Sequence, residues 1–257
     1  MNELASEAER VGTATMRLAG RIAVVTGASS GIGRAVALRL VAEGATVTAV
    51  GRNDVALEDL SASAMAGGGP GRIIPAQVDL TDCSARKALV ASLSAGPRVN
   101  LLIHSAGVYN RGQHVDAPIR DLDALYESNV RAPYALTQEL LPALRAGGGD
   151  IVVLNSTQGL QAAGGVGQYA ATQHAMRAVT DSLRQEVNAD GIRVCSIHLG
   201  RTATPRQEAI YADEGRPYLP ELLVQPEDVA EVLVSVIALP SNAEVTEIRL
   251  RAAKKSY

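Results

Sequence analysis

The stretch Arg21-Ile22-Ala23-Val24-Val25-Thr26-Gly27-Ala28-Ser29-Ser30-Gly31-Ile32-Gly33 passes from a short apolar run into a glycine-rich turn. An apolar run without polar alternation suits a strand buried on both faces. Ile32, Ala35, Val36, Leu38 and Leu40 then support a helix that ends near Gly44. A glycine-rich turn between a strand and a helix is where the positive end of the helix can receive a pyrophosphate. Gly27 permits the turn, Gly31 lets the pyrophosphate approach the backbone, and Gly33 allows close packing of the helix on the sheet. Ser29, Ser30 and Ile32 complete this predicted dinucleotide cradle.

Outward from that turn, strand and helix alternate to the end of the chain. Apolar runs at 45–50, 72–78, 99–104, 150–155, 191–199 and 245–250 predict further strands. Helical stretches fall at about 118–145, 166–188 and 226–239. Such alternation predicts a parallel sheet with right-handed crossovers and helices on both faces. The expected fold is α/β: a doubly wound Rossmann-type sheet of about seven strands. Residues 18–257 form one cofactor-binding and catalytic domain, without internal linker or repeat. Residues 1–17 mix Glu3, Glu7, Glu9 and Arg10 with small residues, and read as a short extension that is not a secretory signal. A start at Met16 would leave the domain intact.

Composition narrows the partners. A net charge of -3 in 257 residues gives no electrostatic case for nucleic acid or an anionic membrane. No apolar run approaches the roughly 20 residues of a membrane span. Cys83 and Cys195 are too few for a disulfide framework, which points to a reduced, cytoplasmic setting. The four histidines, at 104, 114, 174 and 198, form no close pair, so no metal is expected.

The second strand ends in Val50-Gly51-Arg52-Asn53. A carboxylate about twenty residues beyond the glycine turn would hold the ribose 2′-hydroxyl of NAD. Gly51 stands there instead, and the Arg52 guanidinium suits a 2′-phosphate. NADP(H) is therefore expected over NAD(H), against the alternative of a solvated arginine at a strand end.

Asn155-Ser156-Thr157 is followed thirteen residues after Ser156 by Tyr169, in the run Tyr169-Ala170-Ala171-Thr172-Gln173. Gly164, Gly165 and Gly167 lie between them and suggest an open lip. With the turn at Thr26–Gly33, these motifs resemble the short-chain dehydrogenase/reductase family, over nearly everything from about Leu18 to Leu250. The resemblance implies that Ser156 hydrogen-bonds the reacting oxygen, that Tyr169 supplies the proton, and that Asn129 supports a proton relay. It also implies that Asp79-Leu80 contacts the adenine. His104-Ser105-Ala106-Gly107 stands where the family carries Asn-Asn-Ala-Gly. Ala106 and Gly107 keep the close approach to the cofactor, and Ser105 can replace one lost hydrogen bond. His104 reads as a structural imidazole, with a catalytic one as the alternative. Leu199-Gly200-Arg201-Thr202-Ala203-Thr204 resembles the stretch that closes over the nicotinamide, with Gly200, Thr202 and Thr204 as contacts.

The departure is at Gln173, where the family expects Tyr-x-x-x-Lys. A glutamine amide one turn from Tyr169 can bond a ribose hydroxyl, but it carries no charge to lower a phenol pKa of about 10. Arg177, one turn further, lies about 12 Å along the helix from Tyr169, and reads as a surface or subunit-contact residue. Residues 205–225, with Tyr211, Glu214, Arg216 and Tyr218, are expected to form a lid. Three readings remain: an NADP(H)-dependent oxidoreductase of weak or atypical activity on a ketone, aldehyde or alcohol; a non-redox acid–base enzyme on the same scaffold; and a catalytically silent NADP-binding protein. The resemblance implies a homodimer or homotetramer built through the helical stretches 118–145 and 166–188.

Overall fold

The computed structural model describes residues 16–146 and 148–254. The extension expected before the domain lies outside the described residues as far as Thr15. Arg17 and Leu18 already belong to the packed structure. Arg17 pairs with Glu43 at 2.6 Å and Glu231 at 3.3 Å, and Leu18 is buried.

Seven strands form one sheet: β1 (Ile22–Thr26), β2 (Thr46–Gly51), β3 (Arg72–Gln77), β4 (Leu101–His104), β5 (Gly149–Ser156), β6 (Ile192–Leu199) and β7 (Glu247–Leu250). All neighbouring pairs are parallel, in the order β3-β2-β1-β4-β5-β6-β7. The order reverses direction between β1 and β4, the position at which open α/β sheets present a crevice beyond their strand ends.

The helices are α1 (Gly31–Ala42), α2 (Asp54–Ala66), α3 (Cys83–Ser94), α4 (Ile119–Tyr126), α5 (Ala132–Arg145), α6 (Gly167–Val187), α7 (Pro205–Asp213) and α8 (Pro226–Ile237). Strand residues alternate between two aliphatic cores, as the pleat requires. Ala23, Val25, Leu101, Ile103 and Val152 pack with α1, α2 and α8. Val24, Leu102 and Ile151 pack with α3, α5 and α6 on the other face. Burial on both faces explains why these strands read as continuous apolar runs. The β3 edge strand is more exposed and carries Pro75, which is tolerated where one side of a strand is unpaired.

The helical stretch expected at 118–145 is interrupted by a π-helical turn at Glu127–Arg131. Pro133 has no N–H to continue the α-helical ladder to Asn129. The amide of Ala132 bonds the carbonyl of Glu127 instead, and the wider turn carries Asn129 toward the strand ends.

At the opposite, N-terminal end of the sheet sits buried Asp150. Arg21 meets one carboxylate oxygen at 2.5 Å and Arg193 the other at 2.7 Å. Arg21 also donates to Asn100 Oδ1 and to the Asn100 carbonyl. Arg193 donates to the carbonyls of Ile237, Leu239 and Ala243. One carboxylate thus fastens the beginnings of β1, β5 and β6.

Candidate active site

Beyond the C-terminal ends of β1 to β4 lies a cavity of about 270 Å³. Gly27, Ser29, Ser30, Gly31, Ile32 and Gly33 form one wall. Gly27 has φ +67, and a Cβ there would come within 2.8 Å of the Ala106 backbone. Gly31 has φ +52. A Cβ at Gly33 would strike the Gly27 carbonyl, so this glycine lets the helix start directly beneath the turn. The N-cap residue of α1, Ser30, makes no side-chain cap, and no acidic residue occupies the first turn. The first amides and positive end of α1 are left for an anion at the cavity wall, which suits a dinucleotide pyrophosphate.

Arg52, Asp79 and Leu80 line the adjoining wall. A Cβ at Gly51 would lie 3.2 Å from the Ser29 side chain, so Gly51 brings β2 close to the turn. Hydrogen bonds from Thr81, with the Arg52 charge as a lesser cause, hold the Asp79 carboxyl below its usual range. Ser105, Ala106 and Gly107 form the far wall. The amides of Ser105 and Ala106 both donate to Thr26 Oγ1 at 3.0 Å, so the end of β1 braces the end of β4.

His104 is buried, and its Nε2 lies 2.8 Å from Thr137 Oγ1. Burial lowers its pKa to about 4, so the ring is a neutral, hydrogen-bonded member of the wall at physiological pH. Thr204 also lines the cavity. Gly200 and Thr202 do not. A Cβ at Gly200 would meet Arg251 at 3.1 Å, while Thr202 is buried and bridges to Val224.

A second cavity of about 60 Å³ adjoins the first and is lined by Asn129, Tyr169, Gln173, Met176 and Arg206 with the end of β4. Tyr169, early in α6, has Ser156 at the end of β5 among the groups that act on its hydroxyl. Enclosure of its hydroxyl raises the phenol pKa; the Ser156 hydrogen bond and, less strongly, the Arg206 charge oppose that rise. The ring of Tyr109 meets Tyr169 edge-on, with centroids 5.0 Å apart.

Ser156 is held from three sides. Its amide donates to Asn155 Oδ1 at 2.6 Å, its carbonyl lies 3.2 Å from His198 Nδ1, and its Oγ accepts from the Gln158 amide at 3.1 Å. Asn155 also donates to the Gln173 carbonyl at 3.1 Å, which ties β5 to α6. The Asn129 side chain clamps the loop after β4, accepting from the Val108 amide at 2.7 Å and donating to the Val108 carbonyl at 2.9 Å. It also donates to Thr172 Oγ1 at 3.2 Å, and Gln173 Nε2 donates to the same hydroxyl at 3.3 Å. Asn129 and Gln173 are thus brought together through buried Thr172. Arg177 turns away and pairs with Glu247 at 3.4 Å.

The stretch expected as a lid begins with α7, capped by Thr204 Oγ1 on the Gln207 amide at 3.2 Å. Its charges are concentrated. Glu214 receives Arg201 at 2.8 Å, Arg111 at 3.0 Å and Arg216 at 3.2 Å. These contacts hold the Glu214 carboxyl below its usual range, the Arg201 hydrogen bond contributing most. Arg201 and Arg216 lie over the Tyr211 ring at 4.7 and 5.1 Å. Because Arg111 comes from the loop after β4, this cluster fastens the end of α7 across the site. Arg206, Asn155, Thr172 and the pairing of Arg111 and Arg201 with Glu214 are what sequence reasoning missed. The asparagine before Ser156 was the one local signal among them.

Among the described residues no helix is long and apolar enough to cross a membrane, and no cluster of His, Cys, Asp or Glu could hold a metal. The switch-point cavity, the uncapped helix behind a glycine turn and the Ser156–Tyr169 pair together define a dinucleotide-binding oxidoreductase scaffold. The family model described as short chain dehydrogenase matches residues 21–215, and the chain belongs to that family of oxidoreductases. An uncharacterised short-chain type dehydrogenase/reductase of Sinorhizobium fredii is 32% identical over 89% of this chain and 90% of its own. An uncharacterised NAD-dependent oxidoreductase of Mycobacterium tuberculosis is 30% identical over 84% of this chain and 89% of its own. The L-sorbose reductase of Gluconobacter frateurii, solved with NADPH and L-sorbose, superposes with a TM-score of 0.83 at 26% identity, over 92% of this chain and 97% of that one.

Proposed function

We propose that this chain is an NADP(H)-dependent oxidoreductase that moves hydride between nicotinamide and a ketone or aldehyde, or the corresponding alcohol. The observation that carries the reaction class is the Ser156–Tyr169 pair beside the dinucleotide cavity. When bound, the nicotinamide supplies the hydride for reduction. The protein supplies the proton: the Tyr169 phenol delivers it to the carbonyl oxygen, and the Ser156 hydroxyl donates a hydrogen bond to that oxygen as charge develops. Because enclosure raises the Tyr169 pKa, the phenol is protonated at neutral pH and ready as an acid. As a base it is poor, which favours carbonyl reduction over alcohol oxidation.

Cofactor choice rests on Arg52 at the cavity mouth, beside Ser29 and a Gly51 that carries no carboxylate. One relative is described as NAD-dependent and one structural neighbour holds NADPH, so the preference is read from these residues. NADPH should bind more tightly than NADH, by about ten- to a hundredfold for a charge-assisted phosphate contact. Fluorescence titration of each cofactor into the unmodified chain and Arg52→Ala checks this. Equal affinities in the unmodified chain would remove the assignment. A carbonyl panel with NADPH then tests the chemistry: binding without turnover favours a silent NADP-binding protein, and turnover without nicotinamide favours a non-redox acid–base enzyme. The same reading places the protein in the cytoplasm as a homodimer or homotetramer.

A further inference from the structure

A phenol that gives up and regains a proton in an enclosed site needs a positive charge nearby, and Gln173 has none to offer. We propose that Arg206 is the cation of this active site, reaching in from the first turn of α7 to do the electrostatic work that the side chain at position 173 cannot. Arg206 lines both cavities. It is the one ionised side chain among the described residues lining the cavity shared by Tyr169, Gln173 and Asn129. Its Nη2 donates to the Gly107 carbonyl at 2.5 Å, which anchors it at the end of β4. The next residue, Val108, is held at both its amide and its carbonyl by Asn129, so the anchor is itself fixed.

The groups acting on Tyr169 are Ser156 from β5, Tyr109 from the loop after β4, and Arg206 from α7. His104 in the same cavity is neutral. Arg206 is the member of this set whose charge favours the phenolate. It belongs to a different element from Tyr169, so its position is set by where α7 packs. That ties the placement of α7 to the proton affinity of Tyr169. Arg206 is exposed, so its influence is screened by water and salt, and an effect of several-fold rather than several thousandfold follows.

The inference rests on the proposed proton-transfer role of Tyr169, but its first test needs neither cofactor nor turnover. The tyrosinate absorbance of the full chain is titrated with and without Arg206→Gln, each compared with the same chain carrying Tyr169→Phe, so that the Tyr169 contribution is isolated. At low salt, Arg206→Gln should move the Tyr169 titration to higher pH, whereas Arg206→Lys should leave it near the unmodified position. High salt should shift the unmodified chain toward Arg206→Gln and leave that variant in place. A merely structural arginine would give no such salt dependence. Coincident Tyr169 titrations with and without Arg206→Gln at low salt would overturn the proposal. In turnover, Arg206→Gln should slow alcohol oxidation at neutral pH by about three- to tenfold and displace its pH profile upward, with reduction less affected. An unmoved oxidation profile in an active enzyme would overturn it equally. Absence of turnover in every variant, with the titration shift intact, would instead count against the oxidoreductase reading alone.

Discussion

Replacing His104 by glutamine should remove an acid-sensitive weakness from this fold. The imidazole is enclosed beside Thr137 with a pKa lowered from 6.5 to about 4 by burial. As pH falls below 6.5 the unfolded chain takes up a proton at this residue, whereas the folded chain does so only near 4. A depressed folded-state pKa therefore contributes stability that is complete above about 6.5 and is lost as pH falls toward 4. At 1.36 kcal/mol per pH unit, the loss is about 3 kcal/mol, a large part of the roughly 5–15 kcal/mol that holds a domain together. Glutamine places an amide nitrogen near the position of Nε2, keeps a partner for Thr137 and does not titrate. Urea unfolding, followed by circular dichroism at a series of pH values, measures the difference between the two proteins. Carboxylates titrate in both and cancel. His104→Gln should start less stable at neutral pH, since a planar ring fits that wall, and its disadvantage should shrink by about 3 kcal/mol as pH drops from about 7 to about 4. A stability difference that stays constant across that interval would show that His104 titrates alike in the folded and unfolded chain, with no acid-sensitive weakness at this site.

Gln173→Lys should raise NADPH-dependent carbonyl reduction and raise alcohol oxidation further, by about tenfold or 1.4 kcal/mol of barrier, with the larger gain in an Arg206→Gln background. Steady-state rates in both directions check this; unchanged rates with intact NADPH binding would show that charge at 173 is not limiting. Light scattering over a broad concentration range should report a dimer or tetramer, and a strict monomer would exclude assembly through the helical stretches 118–145 and 166–188.

The strands and the glycine turn were legible in the chain because their signals are local. Each central strand is apolar on both faces, and Gly27, Gly31 and Gly33 each answer to a contact or a dihedral within the turn itself. Ser156 and Tyr169 were legible as a spacing, and Ser156 is among the groups that act on the phenol. The π-helical turn was not, because it depends on one missing N–H at Pro133 inside a stretch with an ordinary helical pattern. Arg206 escaped notice for a different reason. On the helix of Tyr169 the next cation is Arg177, which pairs with Glu247, while the guanidinium that shares a cavity with Tyr169 arrives from a helix that starts thirty-six residues later. Gly200 and Thr202 fit a motif but lie outside the cavity lining: Gly200 packs against Arg251, and the Thr202 backbone bridges to Val224. The concentration of charge on Glu214 arises only when Arg111 and Arg201, ninety residues apart, meet it in space.

The Asp150 junction sits at the far end of the strands from every group that touches the cavity. Two guanidinium groups and one carboxylate secure three strand starts there, and breaking such a buried arrangement costs about 3–5 kcal/mol. Architectural insurance and chemical work are therefore written into opposite poles of one sheet. Substitutions of Ser156, Tyr169 or Gln173 therefore leave the Asp150 contacts in place.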